Sequence, residues 1–404
     1  MSGEFVCRTP PKLRVVVPVL GAMVDIRQIP MGGRIDDFLN VVDYIYRGDG
    51  AYVRPLDMEL KDRLSPKKNP FFEHGEGAIF CAYRNGWCVG RVTAQIDRVH
   101  LEKYGDQTGF FGFLDTIDDE EVARELLARA ESWLRSKGMR NARGPFSLNI
   151  NEETGCLVEG FDTPPYVMMP HHASYQGGLI EKAGYKKVKD FFAWKYTVGD
   201  PNARVMRGHD EIEQMPEISS RTIDLKNLDK DVELFVDIFK DAWSDNWGAL
   251  PFTRREVDKM AADFKLLLMP EITRLVSING EPAAVALAVP NLNEMVRDLG
   301  GKLLPFGLPK LVWRLRVRGP TSARLIFLGI RKKWRYVRKY GALSAFLYAE
   351  LNEGGRKLGI REGELGWTLE DNGRVNAGIQ LMGAKLYKKY RVYDKPLTNG
   401  APST

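Results

Sequence analysis

Two stretches of this chain alternate apolar and polar positions with a period of two and break at Asn-Gly, the strongest short signal for a β-hairpin. The first runs from Ala78 to Ile96 and turns at Asn85-Gly86; the second runs from Ile272 to Pro290 and turns at Asn279-Gly280. Each is followed by a third β-rich run, Thr108–Thr116 and Ala323–Ile330. Each of those leads to a stretch whose apolar positions recur every three or four residues, Glu120–Met139 and Leu343–Ile360, as an amphipathic helix requires. Gly138 and Gly359 stand where helices commonly end in a left-handed residue. A short strand and a helix follow in both, closing at Gly184-Tyr185-Lys186 and Gly383-Ala384-Lys385. The last strand carries Trp194 and Tyr196 in one, Tyr390 and Tyr393 in the other.

The order of elements therefore occurs twice. From the turn glycine to the final glycine is 98 residues in the first copy (Gly86 to Gly184) and 103 in the second (Gly280 to Gly383). The insertions fall in different places, near 150–172 in copy one and 294–320 in copy two. Equal order with nearly equal totals argues duplication. The expected fold class is α/β, an α+β mixed sheet with helices on both faces, built as two tandem domains. We place the first at 12–198, a linker at 199–219, the second at 220–395 and a flexible tail at 396–404. At 404 residues, two domains are the natural division.

Composition changes this picture little: 44% apolar and 28% charged residues describe an ordinary globular chain. No apolar run approaches the roughly 20 residues needed to span a bilayer. The Val15–Val24 run, interrupted by Pro18, is expected to be an ordered strand and not a signal peptide. Cys7, Cys81, Cys88 and Cys156 lack metal-ligand spacing, so no metal is expected, and so few cysteines suit a reducing cytoplasm.

Charge placement says more than the net +6. Arg331, Lys332, Lys333, Arg335, Arg338 and Lys339 cluster just before the helix of the second copy. A charge run is ordinarily a solvated face, but these residues adjoin a glycine-containing helix start, where free N–H groups accept a phosphate. At the same place the first copy has Asp115, Asp118, Asp119, Glu120 and Glu121 and no glycine. Carboxylates suit a helix N-terminus but repel a pyrophosphate.

The element order together with this loop resembles the GNAT acyltransferase superfamily, over nearly the whole chain, once per half. The superfamily pattern Gln/Arg-x-x-Gly-x-Gly/Ala is similar to Arg338-Lys339-Tyr340-Gly341-Ala342-Leu343, with Leu343 in place of a small residue. The later pattern is matched at Asn372 and Gly383, while Ile379 stands where the superfamily often has the tyrosine that protonates the thiolate. Longer phrases, including Asn69-Pro70-Phe71-Phe72, Gly144-Pro145-Phe146-Ser147 and Trp243-Ser244-Asp245-Asn246-Trp247, resemble a bacterial tandem group that contains ceramide synthase.

The resemblance implies transfer of a long-chain fatty acyl group from acyl-CoA, as co-substrate, to the amine of a sphingoid base. It places Leu328, Gly329, Ile330 and Asn372 along the pantetheine, and Arg335, Arg338, Lys339, Tyr340, Gly341 and Ala342 around the pyrophosphate. Gly329 reads equally as a bulge or a packing glycine. For the general base the candidates are Glu370 and Asp371, Asp245, and His100, His171 and His172 of the first copy; Glu370 and then Asp245 are preferred, with a surface or capping role as the simpler alternative for any one acid. Trp243, Asn246, Trp247, His171 and His172 are expected to border the acceptor, though tryptophans are more often core. The 294–320 insertion mixes Leu, Phe and Trp with Lys and Arg, as an interfacial segment on the cytoplasmic membrane surface does; a loop buried against its own domain is the equal alternative. The expected localisation is cytoplasmic, peripheral on the inner membrane. Nucleic acid is not an expected partner. Two other readings stay open: a cell-wall aminoacyl transferase using aminoacyl-tRNA, and a CoA-binding regulator without turnover.

Overall fold

The computed structural model describes residues 23–397, so Cys7 and most of the Val15–Val24 run lie outside the described residues. The strands are β1 (Asp25–Ile29), β2 (Gly75–Arg84), β3 (Trp87–Asp97), β4 (Thr108–Thr116), β5 (Asn141–Gly144), β6 (Cys156–Glu159) and β7 (Lys186–Thr197) in the first half. The second half supplies β8 (Ile218–Arg221), β9 (Thr273–Ile278), β10 (Glu281–Pro290), β11 (Ser322–Ile330), β12 (Glu362–Leu369) and β13 (Lys385–Pro396). Both Asn-Gly hairpins form. Asn85 and Asn279 (φ 51° and 53°) and their glycines (79° and 78°) take the positive φ values of a two-residue type I′ turn.

All of these strands join one mixed sheet, in the order β1-β2-β3-β4-β5-β13-β7-β12-β11-β10-β9-β8, with β6 pairing the side of β13. The two copies exchange their last strands. β13, from the end of the second copy, lies between β5 and β7 of the first, with Tyr393 opposite Gly144 and Tyr390 opposite Phe191. β7 in turn pairs antiparallel with β12 of the second copy, Trp194 opposite Leu365. The exchanged strands are buried: Phe191, Tyr390, Val392 and Tyr393 are fully enclosed. Burying such large side chains contributes about 1.5–3 kcal/mol each, so the seam is a core and not a loose contact between domains.

The long helix of each copy packs on its own half of the sheet. Helix Glu120–Ser136 is capped by Asp119, whose carboxylate accepts from Val122 N–H, and it buries Val122, Leu126, Leu127, Ala130 and Leu134 on the β2–β4 face. Helix Leu343–Lys357 buries Leu343, Phe346 and Leu347 against β9–β11.

Two expectations need correction, and one open alternative is resolved. The linker at 199–219 contains helix Ala203–Glu213, capped by Asn202, and runs into edge strand β8. Its apolar Val205 and Ile212, spaced seven apart, are buried, and Gly208 lets it approach the start of helix Leu343–Lys357. The last strand runs through Pro396, and Leu397 is buried with its N–H on the Arg140 carbonyl at 2.8 Å, so the chain is tied down past 395. Gly329 is a packing glycine: a Cβ there would stand 3.2 Å from Ala242 Cβ, while the irregularity in β11 falls at Ile326, opposite Leu287/Ala288.

No helix among the described residues is long and apolar enough to cross a membrane.

Candidate active site

β11 and β12 pair in parallel only from Ser322–Glu362 to Leu325–Leu365. Beyond that point β11 follows β10 to Ile330 and β12 follows β7 to Leu369, so the two strands diverge. The gap opens into a cavity of about 180 Å³. Phe235, Phe239 and Trp243 of helix Leu228–Trp243 form one wall, and Met260, Ala261 and Phe264 of helix Arg254–Phe264 form another. Ile326, Phe327 and Trp367 line the strand side. Trp243 stacks on Phe327 at 5.7 Å and meets Trp367 edge-on at 5.9 Å. Four residues of the first copy, Ile150, Asn151, Glu152 and Met168, complete the lining. Both halves therefore build this one cavity.

The first copy reaches it through its 150–172 insertion, which is bolted to the second copy. Val167 N–H donates to Asn291 Oδ1 at 3.1 Å, Asn293 donates to the Pro165 carbonyl at 3.0 Å, and Arg324 donates to the Val167 carbonyl at 2.8 Å. Lys388, 1% exposed, donates to the carbonyls of Gly160 (2.5 Å) and Thr163 (2.7 Å).

Next to the apolar cavity lies a polar chamber of about 480 Å³, lined mostly by the first copy, including Glu59, Arg63, Glu152, Glu153, His171 and His172. It occupies the place where β4 and β5 of the first copy diverge after Phe110–Arg143. The groove along β4 itself is filled by the chain. Phe146 N–H donates to the Phe111 carbonyl at 2.8 Å, and a Cβ on Gly112 would fall 1.7 Å from the Phe146 carbonyl oxygen. A pantetheine arm has no room there. The first copy thus closes with its own backbone the groove that stays open between β11 and β12 in the second.

No family model matches the chain. Among solved structures, a tandem GNAT protein of the clavulanic acid biosynthesis pathway superposes with a TM-score of 0.56 at 11% identity, covering 94% of this chain and 100% of that one. A GCN5-related N-acetyltransferase from Sphaerobacter thermophilus gives 0.51 at 14% identity, covering 94% and 97%. At such identities these likenesses show the fold. Sequence decides the family. The bacterial ceramide synthase of Caulobacter vibrioides (strain NA1000 / CB15N) is 40% identical over 356 residues, 86% of this chain and 91% of that protein. The chain belongs to the bacterial ceramide synthase family. A second relative, protein YghO of Escherichia coli (strain K12), is 36% identical over 362 residues, covering 89% and 92%. As a member of the bacterial ceramide synthase family with the tandem GNAT fold, the protein is an acyltransferase.

The individual residues of this family member fall in distinct places. Trp243, Asn246 and Trp247 line the apolar cavity, and His171 and His172 line the polar chamber. Burial holds both histidines below the usual imidazole range, His172 down to about 4, so they are neutral at physiological pH. Glu370 lies outside both spaces: it binds Lys187 Nζ at 2.6 Å and the Asp190 N–H at 3.0 Å. Asp245 is exposed and paired with Lys332 at 2.6 Å, which lowers its pKa. His100 is buried between Tyr104 and Phe110 with Asp106 on its Nε2, also outside both spaces. None of these three is placed to meet an acceptor in either cavity.

In the basic loop, Arg338–Tyr340 form a short 3-10 turn and Ala342 precedes helix Leu343–Lys357, which has no side-chain N-cap. Gly341 is right-handed (φ −61°), so its conformation does not demand glycine. Most of the cations are paired: Arg331 with Asp237, Lys332 with Asp245, Lys333 with Glu281, Lys339 with Glu217. Arg335 donates to the Ala242 carbonyl at 2.7 Å and so caps helix Leu228–Trp243. Tyr340 is buried against Trp334, and Asn372 caps helix Gly373–Leu381. Ile379 is core, 2% exposed. The residue that sequence reasoning missed is Glu152, which touches both cavities; its only signal was a Glu152-Glu153 pair at the start of the 150–172 insertion.

Proposed function

We propose that this acyltransferase moves a long-chain fatty acyl group from acyl-CoA to the primary amine of a sphingoid base. The observation that carries the reading is the aromatic and aliphatic cavity opening at the β11–β12 gap, a space suited to an alkyl chain. The likeness to the C. vibrioides protein named bacterial ceramide synthase supports the same choice of chemistry.

In this reading the CoA pyrophosphate lies at the uncapped start of helix Leu343–Lys357, where unsatisfied N–H groups and the helix dipole favour an anion. Arg338, Lys332 and Lys339 gather around it, the two lysines leaving their carboxylate partners for the phosphates. Pantetheine follows β11 past Leu325 through Leu328 and Ile330, and backbone N–H groups on the open side of that strand polarise the thioester carbonyl. Trp243 and Phe327 hold the start of the acyl chain.

The 294–320 insertion carries the protein to its lipid substrates. Phe306 is 80% exposed, and Leu304, Val312, Trp313 and Val317 stand open beside Lys302 and Arg316. Exposed aromatics among cations dock on an anionic bilayer surface.

The test is incubation of the purified protein with palmitoyl-CoA and sphinganine, following free thiol and amide product by mass. One thiol per amide is expected; absence of thiol release from any long-chain acyl-CoA overturns the reading.

A further inference from the structure

The polar chamber and the apolar cavity adjoin across a shared wall. Asn151, Glu152, Met168, Phe252, Met260 and Phe264 line both. On the chamber side three carboxylates surround one guanidinium: Arg63 stands 2.5 Å from Glu59, 3.3 Å from Glu153 and 3.7 Å from Glu152. Helix Arg254–Phe264 adds Glu256, bonded to His74, and the mutually paired Lys259 and Asp263. Glu256 and Asp263 thus have cations of their own, but Arg63 alone does not balance Glu59, Glu152 and Glu153. One acceptor and one donor are also left over: Nδ1 of His171, whose Nε2 proton goes to Asp49 and whose side chain is 1% exposed, and Nδ2 of Asn151 at the junction have no hydrogen-bond partner among the described residues. An acid-rich chamber with a spare donor and a spare acceptor, beside the cavity assigned to the acyl chain, suits an ammonium head with neighbouring hydroxyls.

We propose that the chamber of the first copy binds the ammonium head of the acceptor, and that Glu152, at the junction, takes its proton. The inference rests on the acyl-transfer reading above and assigns its acceptor site and base. The surroundings of Glu152, a half-buried side chain, suit a general base, because partial desolvation, reinforced by Glu59, Glu153 and Glu256 and opposed by Arg63, raises its carboxyl to about 7. A base that titrates near neutrality accepts and releases a proton most readily. The ammonium gives one proton to Glu152, which passes it to water. The freed nitrogen lone pair attacks the thioester carbonyl carbon; the C–N bond forms, the C–S bond breaks, and CoA leaves as thiolate with the electron pair. The second proton shed by nitrogen ends on that thiolate. One ammonium and one thioester yield one amide, one thiol and one released proton. The degenerate copy thus supplies the acceptor half of a single active site.

Glu152→Gln keeps the shape and removes the base. Its kcat should fall by about 10²–10⁴-fold, with palmitoyl-CoA binding by titration unchanged and the wild-type break in log kcat near pH 7 abolished. Glu59→Gln should raise KM for sphinganine with little change in kcat. Direct binding of a short-chain sphinganine to the wild type and to the E59Q/E152Q double variant, with thermal midpoints recorded for both, gives an answer independent of turnover. Weakened binding by the folded double variant supports the site; equal binding overturns it, as does an E152Q enzyme with wild-type kcat and the same pH break. A wild type that binds the amine yet forms no amide refutes the acyl-transfer reading and not the location of the site.

Discussion

Arg324 of β11 donates from Nη1 to the carbonyl of Val167 at 2.8 Å, a bond between the cavity-lining strand of the second copy and the insertion of the first. The same guanidinium donates to the Gly366 carbonyl at 3.0 Å, just where β12 leaves β11, and lies 3.1 Å from Glu364. Arg324 is 4% exposed and Glu364 fully buried, and burial raises the carboxyl of Glu364. Tyr387 OH also donates to Glu364. Two charges taken from water hold the mouth of the active site in register across both copies.

Removing one member of such a pair leaves the other uncompensated, at a cost of about 3–5 kcal/mol. Arg324→Met should therefore lower unfolding free energy by about that amount in urea titrations. Arg324→Met/Glu364→Met should recover much of the loss while leaving the active-site mouth disordered and turnover low. An R324M variant as stable as the wild type would remove the pair from the account of the seam.

Lys388 gives a pH signature. Burial lowers its ammonium from 10.5 to about 8, against the pull of Glu364, Asp162 and Asp49. Below about pH 8 folded and unfolded chains both carry the proton. Between about 8 and 10.5 the unfolded chain holds a proton that the folded chain has given up, so this residue's contribution to stability rises with pH. The unfolding free energy of the wild type minus that of Lys388→Met should climb across that window and stay level below it. A difference that is flat throughout would mean Lys388 titrates as an exposed lysine.

What the sequence made legible is what is local. Asn85-Gly86 and Asn279-Gly280 dictate their turns by backbone conformation alone, and the alternation around them fixes which face is buried. The exchange of β7 and β13 was not legible, because Trp194/Tyr196 and Tyr390/Tyr393 present similar patterns and either strand satisfies either gap. Partner choice there depends on contacts some 200 residues apart in sequence, such as Arg391 with Asp190 at 2.9 Å. The helix at Ala203–Glu213 had a signal, an Asn cap and a buried Val205–Ile212 pair, masked by its charged remaining faces. Glu370 and Asp245 were attractive by position in the repeat, but their lysine partners, Lys187 and Lys332, come from other elements and only folding reveals them.

The proposed seat of the acyl chain in the apolar cavity predicts that chain-length preference can be changed there. Leu287 of β10 lines it opposite the helices, so Leu287→Trp fills space that a long chain would use. Palmitoyl transfer should lose about 10–200-fold in kcat/KM, the range that a few misfitting methylenes produce, while hexanoyl transfer stays within about twofold. The comparison is a competition assay with both donors in one vessel, read by product mass. Equal losses for both donors would show that the chain lies elsewhere.

Membrane docking through the 294–320 insertion can be separated from catalysis, because its exposed side chains lie outside both cavities' lining. Phe306, Val312 and Trp313 are 80%, 51% and 54% exposed, and the segment is held in place through Arg314 and Lys310 on Asp298, which are left intact. Phe306→Ser/Trp313→Ser removes two aromatic anchors worth about 1.5–3 kcal/mol each when fully buried. Even partial insertion predicts at least a tenfold (about 1.4 kcal/mol) weaker association with vesicles containing anionic lipid. Lys302 and Arg316 add an electrostatic part, so binding by the wild type should also fall as salt rises. Turnover of short-chain, water-soluble substrates should be unaffected by the double substitution, whereas turnover of vesicle-borne sphinganine should drop with binding. Vesicle sedimentation and the two activity assays on the same preparations decide it: unchanged binding, or equal losses in both assays, would assign these side chains some other role.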